Sequence, residues 1–170
     1  MGKQPGHAVK LSNFYAIMYS MNELIDALKV LEASTVALKF KAHGFHWNCE
    51  GDDFPQWHDK FGDIYEDLDG AIDTFAEWIR MLDTNSYAPF SLSRLAALSV
   101  VPEASVSSDP IDMANDLCES LDLVTAAIVA ACDSATAAKQ YGLANFLGDR
   151  QTMHQKWCWQ LGVAAKDMGD

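Results

Sequence analysis

Apolar residues recur at alternating steps of three and four along most of this chain, a spacing that places them on one face of an α-helix. Four such stripes predict helices over about 20–44, 54–82, 110–138 and 143–164. No segment shows the period-two alternation of a half-buried strand. With 170 residues, the chain is long enough for one domain with a sizeable core. The sequence therefore predicts an all-α fold built on four long helices.

Capping patterns indicate where two of these helices begin. Ser20 followed three residues later by Glu23 forms a capping box, so the first helix is expected to start there and to end near Gly44. Asp109 followed by Pro110 is typical of a helix start, because the carboxylate caps a backbone amide and proline lacks the amide that would go unused. The third helix is therefore expected to begin at this pair.

The segments outside the stripes define the predicted domain organisation. Residues 1–11 are interpreted as an N-terminal tail, and 12–170 as one helical-bundle domain. Residues 83–108 contain two prolines and several serines and are predicted to form a crossover connection that carries a short helix over Leu92–Leu98. One long connection in the middle of four helices predicts a crossover bundle and disfavours a simple up-and-down arrangement.

The charge of the chain limits its partners. Acidic residues outnumber basic ones by 24 to 12, giving a formal net charge of -12. Such a chain is poorly suited to neutralising a phosphate backbone, so we expect DNA binding to be weak or absent. A protein with so negative a charge is expected to bind cations.

Cysteine usage and hydropathy indicate the compartment. The four cysteines form no CxxC pair and are too scattered to suggest a disulfide scaffold; they stand at positions 49, 118, 132 and 158. The first ten residues contain no apolar segment of a secretory signal, and the longest purely apolar run, Ala126 to Cys132, is too short to span a membrane. The sequence therefore predicts a cytoplasmic protein with no membrane partner.

Candidate metal ligands are concentrated in one stretch of 32 residues. The candidate catalytic residues are His46, Trp47, His58, Asp73 and Glu77, and all but the tryptophan are candidate metal ligands. Acidic residues elsewhere on the same helix continue the stripe of Asp73 and Glu77, so a solvated helix face is the alternative reading. No His follows a Glu by three residues, which argues against a di-iron centre inside a single bundle.

The spacing of these residues requires more than one subunit. His58 and Asp73 stand 15 positions apart on one predicted helix, which separates them by about 22 Å. One metal ion cannot bind both. If all four groups are ligands, the histidines of one subunit meet the carboxylates of another across a twofold axis, where antiparallel helices would pair position 58 with 77 and position 62 with 73.

At these residues the chain resembles the Dps mini-ferritins, the DNA-protection proteins of starved bacteria. The family pattern is His-Trp-Asn, a second His twelve positions after the first, and Asp-x-x-x-Glu, matched here by His46-Trp47-Asn48, His58, Asp73 and Glu77. The resemblance covers about 140 residues in all, more weakly in the last helix. It implies a ferritin-like four-helix bundle that assembles into a hollow dodecamer.

The resemblance also implies a function. It predicts a ferroxidase that oxidises Fe(II) with hydrogen peroxide or oxygen at a di-iron centre on the twofold interface, and that stores ferric iron against oxidative damage. His46 of one subunit with Asp73 and Glu77 of its mate would bind the first iron. His58 would help to bind a second, weaker iron bridged by Glu77.

One departure from the family pattern falls at a ligand position. The acid that the family usually places four residues after the second His is replaced by Gly62, which leaves the second iron short of one carboxylate. Reduced ferroxidase activity is the corresponding expectation. The alternative function is a degenerate cage with a structural or interaction role and weak or no oxidation.

Overall fold

The computed structural model describes residues 6–104 and 107–166, with side chains from residue 20 onward. This part of the chain contains five helices and no strand: α1 (Gly6–Asn48), α2 (Phe54–Leu82), α3 (Leu92–Leu98), α4 (Pro110–Ala137) and α5 (Tyr141–Ala164). The all-α prediction is confirmed, including the short helix in the connection.

The four long helices form one bundle. Helix α1 packs against α2 and α4, and α4 packs against α5. Helices α2 and α5 meet through Phe75 and Phe146, whose rings contact edge to face with centroids 4.9 Å apart. Each long helix therefore has two neighbours, and the predicted four-helix bundle with a crossover is confirmed.

The crossover connection runs along the outside of α1. The amide of Val100 donates to the Ser34 hydroxyl at 3.1 Å, and the amide of Glu50 donates to the carbonyl of Ser108 at 2.9 Å. Because Ser34 and Glu50 stand 16 positions apart, the connection follows the bundle for roughly 24 Å. It returns the chain to the end of α1, where α4 then begins.

Helix ends match the prediction except on α1. Helix α2 begins at Phe54 and ends at Leu82, and the Asp109 carboxylate accepts the Ile111 amide at 2.8 Å, as a cap at the start of α4 should. The predicted start of the first helix at Ser20 is wrong, because α1 begins at Gly6. Residues 6–11 are thus helical, and the division into a tail over 1–11 and a domain over 12–170 stays a prediction.

The predicted end of the first helix near Gly44 is also wrong. Helix α1 continues to Asn48, whose side-chain amide donates to the Gly44 carbonyl at 2.7 Å. The Cys49 amide then donates to the Phe45 carbonyl at 3.0 Å, so the last turn is closed. His46 therefore stands on the helix and not in the loop that follows it.

The apolar stripes meet in one continuous core. It is formed by residues such as Leu28, Leu38, Phe61, Leu68, Phe75, Leu117, Val124, Leu143 and Leu161, all fully or almost fully buried. Every long helix contributes its predicted face to this core. Burial of these stripes provides the main favourable free energy of folding.

An ion pair in the bundle joins α2 to α5. Both terminal nitrogens of Arg150 donate to the Asp67 carboxylate, at 3.0 and 2.8 Å, and the Trp157 indole donates to the same group at 3.0 Å. Burial alone would raise the pKa of Asp67, but the hydrogen bonds and the positive charge of Arg150 outweigh it and lower the pKa below its usual value. The carboxylate is therefore charged and fixes the register of the two helices.

A second buried ion pair joins α1 to α4. The ammonium group of Lys41 donates to Asp116 and, at 2.9 Å, to the Ser120 hydroxyl.

Helix α4 is long and apolar enough to cross a membrane by length and composition, a test that core helices of soluble proteins also pass. Its apolar face packs in the bundle core and its polar face pairs with Lys41, as expected of a core helix.

His154 lies in the core of the bundle. Its side chain is buried, and its Nδ1 lies 3.3 Å from the Thr125 hydroxyl. Burial, followed by the nearby charge of Arg150, lowers the pKa of His154 to about 4. The imidazole is therefore neutral at physiological pH.

The expectation that the cysteines are unpaired is wrong for two of them. Cys118 on α4 and Cys158 on α5 form a disulfide with Cα atoms 5.0 Å apart, while Cys49 and Cys132 are free. The pairing depends on which faces of α4 and α5 meet, and the sequence contains no local motif that reports it.

Glu32 provides a test of the packing of α1. Its carboxyl group is buried, one of its oxygens has no hydrogen-bond partner, and burial raises the pKa of Glu32 to about 7. Between the usual value of 4.5 and about 7, the folded chain holds a proton that the unfolded chain releases, so this residue's contribution to stability falls as pH rises through that window.

We expect Glu32→Gln to remove this penalty. The difference in stability between variant and parent should grow in the variant's favour from about pH 4 to about pH 8, by on the order of 2 kcal/mol. Thermal unfolding measured across this range would show the change. A Glu32→Gln difference that stays constant across this range would contradict the assignment.

Candidate metal centre

Two imidazoles are held together where α1 ends and α2 begins. The rings of His46 and His58 stack with centroids 3.6 Å apart and planes at 25°. Nδ1 of His46 lies 2.7 Å from the carbonyl oxygen of His58, and Nδ1 of His58 lies 2.8 Å from the carbonyl oxygen of His46. Because a carbonyl oxygen only accepts hydrogen bonds, both Nδ1 atoms must carry a proton and donate it.

This reciprocal bonding prepares both rings as metal ligands. In a neutral imidazole with its proton on Nδ1, Nε2 has a free lone pair. Metal-binding histidines commonly donate their other N–H to a carbonyl or carboxylate, which fixes the tautomer and the orientation of the ring. The backbone provides that contact for His46 and His58, and both side chains are half-buried. The pair therefore has the chemistry of a ligand pair.

The short connection between α1 and α2 makes the reciprocal contact geometrically feasible. Gly51 has a φ of 122°, which side-chain-bearing residues rarely adopt, and its carbonyl accepts the Phe54 amide at 3.1 Å as α2 begins. Phe45 and Phe61 pack against each other beneath the two histidines, with ring centroids 5.7 Å apart. The tight turn and this apolar base hold the two helices in register at the histidine pair.

Gly62 has a structural role at this site. A Cβ atom added there would lie 3.3 Å from Nδ1 of His46, closer than ordinary van der Waals contact. The sequence suggests only that Gly62 has lost a carboxylate that relatives keep. In this structure, the missing side chain also leaves room for the His46 ring to lie against α2.

Aromatic residues surround the pair on one side. The His43 ring stacks on Tyr65 with centroids 4.1 Å apart and lies 4.0 Å from the ring of Trp47. Local desolvation, followed by the charges of Lys39 and His46, lowers the pKa of His43. Trp47, the other candidate catalytic residue, is 55% exposed beside His46. The sequence analysis did not single out Tyr65, because only its position on the same face of α2 as His58 indicates that it lies near the histidines.

The two candidate carboxylates lie elsewhere on α2. Asp73 and Glu77 are one turn apart and exposed, and neither lies near the histidine pair of its own subunit. Among the residues that the structure describes, no third ligand side chain completes a metal-binding cluster with His46 and His58. The candidate ligands of one subunit therefore lie in two separate groups, as the spacing of about 22 Å requires.

Comparison with known proteins identifies similar chains. The family model described as "Ferritin-like domain" matches residues 25–168. A DNA protection during starvation protein of Brevibacillus brevis is 28% identical over 129 residues, which are 76% of this chain and 85% of that protein. A protein of the same name from Helicobacter pylori is 34% identical over 83 residues, 49% of this chain and 56% of its own length.

A solved structure shares the fold over most of both chains. The Dps protein of Vibrio cholerae O1, described as a member of a broad superfamily of ferritin-like diiron-carboxylate proteins, has a TM-score of 0.80 and 25% identity. The match covers 85% of this chain and 90% of that one.

Two glycines of α2 provide a matched test of the histidine pair. An alanine at Gly70, where a Cβ meets nothing within 4 Å, should stabilise the protein by roughly 1 kcal/mol through helix propensity. Gly62→Ala should gain less, because the His46 ring must move, and it should weaken the binding of a divalent metal by about 10-fold or more. Thermal unfolding and Co(II) titration of both variants measure these effects. Equal stabilisation with unchanged Co(II) affinity in both would show that Gly62 does not position His46.

Proposed function

The chain belongs to the ferritin-like family and resembles its Dps members, and on that premise we propose that it oxidises Fe(II) and stores the ferric product in a homo-oligomeric cage. The observation that carries the proposal is the histidine pair, in which backbone carbonyls hold His46 and His58 as Nδ1–H tautomers with Nε2 free. Histidines that bind metals are commonly oriented in this way.

The separation of the two groups of candidate ligands supports a shared centre. Among the residues whose side chains the structure describes, none completes a set of three ligands with His46 and His58, and none provides an imidazole to the exposed Asp73 and Glu77. Two subunits related by a twofold axis would complete two centres at once, because such an interface brings the same two patches together twice. We propose that His46 binds the first iron with the carboxylates of the mate, and that His58 helps to bind a second iron bridged by Glu77.

The surface around the histidines supports an interface at this place. Phe40 is 66% exposed and Trp47 is 55% exposed, and their rings meet edge to face with centroids 6.3 Å apart. Large exposed aromatic residues are frequent at protein interfaces. We propose that the partner subunit covers them in a hollow cage of about twelve subunits, in the cytoplasm, as the resemblance to Dps proteins implies.

Iron is the substrate of the proposed reaction. Each of two Fe(II) ions gives up one electron, and one hydrogen peroxide molecule accepts both electrons with two protons to form two water molecules. The imidazoles and carboxylates bind the two ions next to each other, so that a two-electron acceptor is reduced without release of a radical. The net charge of -12 per chain raises the local concentration of the cation.

A degenerate cage is the second candidate function. Gly62 stands where the family places an acid, so the second iron has one carboxylate fewer, and a side chain there would have to displace the His46 ring. A protein that assembles but oxidises iron slowly or not at all would fit this reading. Fe(II) oxidation by the purified protein, with peroxide or oxygen admitted after anaerobic loading, decides between the two.

Mixed assemblies test whether the centre is shared. His46→Ala protein and Asp73→Ala/Glu77→Ala protein should each oxidise Fe(II) poorly, because every centre lacks a ligand. When the two are unfolded and assembled together, some interfaces should combine intact histidines with intact carboxylates, and part of the activity should return. The initial rate of iron oxidation measures the recovery.

Light scattering provides the control, since both variants must form assemblies of the parental size. Mixed assemblies as inactive as their parents, at full size, would show that the ligands do not come from two subunits. A parent protein that is a monomer at micromolar concentration would overturn both the cage and the shared centre.

DNA binding should be weak despite the names of the relatives. With -12 per chain, repulsion from the phosphate backbone should dominate at about 0.15 M salt. A gel-shift titration with duplex DNA and a chelator, which excludes bridging by divalent ions, should show no complex. A complex that persists under these conditions would show that residues of the N-terminal segment bind DNA cooperatively across many subunits.

A further inference from the structure

Helices α4 and α5 bring together a second set of metal-binding groups. Cys118 and Asp122 stand one turn apart on α4, and Cys158 faces them from α5. One ligand atom from each of the three residues lies within 4.8 Å of the other two. The described part of the chain contains no other cluster of three such groups, and this one shares no residue with the histidine pair.

The surroundings of this cluster allow access from solvent. Both cysteines are half-buried and Asp122 is exposed, so the group lies at the rim of the contact between the two helices. The core beneath it is complete without the disulfide, because Leu121 and Leu161 are fully buried. A disulfide with a purely structural role does not need a carboxylate beside its sulfur atoms.

The ligand types favour a thiophilic cation. Thiolates select soft or borderline metals, and Zn(II) accepts two sulfurs together with a carboxylate oxygen. Three protein ligands would leave the fourth tetrahedral position to water. We propose that Cys118, Asp122 and Cys158 form a binding site for a thiophilic divalent cation such as Zn(II), which opens when the disulfide is reduced.

Reduction and reoxidation of the disulfide would open and close the proposed site. A dithiol reductant gives two electrons and two protons to the disulfide, which yields two cysteine thiols and an oxidised reductant. The cation then displaces one proton from each thiol as it binds. Hydrogen peroxide reverses the process: the two thiolates lose two electrons and join as a disulfide, the peroxide takes these electrons and two protons to form two water molecules, and the cation is released.

Cadmium is a suitable probe, because its bonds to thiolate sulfur give an ultraviolet charge-transfer absorption that histidine and carboxylate sites do not produce. The whole protein, reduced with a dithiol and freed of reductant anaerobically, should bind one Cd(II) per chain with this absorption. Protein in the disulfide form, and Cys118→Ser/Cys158→Ser protein, should show none, although both keep the free Cys49 and Cys132. Zn(II) added afterwards should displace the cadmium.

The carboxylate is tested separately. Asp122→Asn should weaken the binding of Cd(II) to reduced protein by about 10-fold or more. Asp133→Asn, at another exposed aspartate of α4, should leave it unchanged. If the double serine variant does not fold, Cys118→Ser alone should abolish most of the absorption. The proposal fails if reduced protein shows no cadmium–thiolate absorption, if the pair resists reduction, if the absorption survives loss of both cysteines, or if Asp122→Asn binds as tightly as the parent.

Discussion

Burial of four apolar stripes in one core determines which side chains of each helix remain for chemistry. On α2, Phe61, Leu68 and Phe75 face inward, so Asp73 and Glu77 must face outward. On α1, the burial of Phe45 turns its neighbour His46 toward the first turns of α2. The candidate ligands are therefore positioned by the buried residues between them, and a change of helix register would move both groups of candidate ligands together.

The buried ion pairs fix that register. Asp67 with Arg150 joins α2 to α5, and Lys41 with Asp116 joins α1 to α4. An apolar core of leucine and alanine tolerates sliding of one helix along another, whereas a charged group that loses its partner inside a protein is costly. The two pairs lie on opposite sides of the bundle, so each constrains a different pair of helices. Two long contacts remain: the histidine pair joins α1 to α2, and the disulfide of Cys118 and Cys158 joins α4 to α5.

The sequence predicted most of the fold, because apolar spacing reports directly on helices that bury one face. Helix α2 begins and ends where its stripe does, and Asp109 caps α4 as its identity suggests. The failures have physical reasons. The pattern at Ser20 and Glu23 is a capping box only when the helix starts there, and a helix that already runs through it uses those backbone groups internally. Cys118 and Cys158 are 40 positions apart in the sequence, and their disulfide depends on which faces of α4 and α5 meet, which no local pattern encodes.

The candidate site, like the fold, was predictable from the sequence only in part. Spacing along the chain predicted the candidate ligands and the separation of His58 from Asp73 and Glu77, because these three residues lie on one helix. The role of Gly62 could not be predicted from the sequence, because it depends on how closely the His46 ring on α1 approaches the backbone of α2. The reciprocal bonds of the two histidines likewise exist only after the helices have packed.

Those reciprocal bonds give the same two residues a part in both packing and candidate metal binding. Each imidazole donates its Nδ1–H to the backbone carbonyl of the other histidine, so the pair also joins the end of α1 to the first turns of α2. Replacing either histidine with alanine therefore removes a candidate ligand and a contact between the two helices at once.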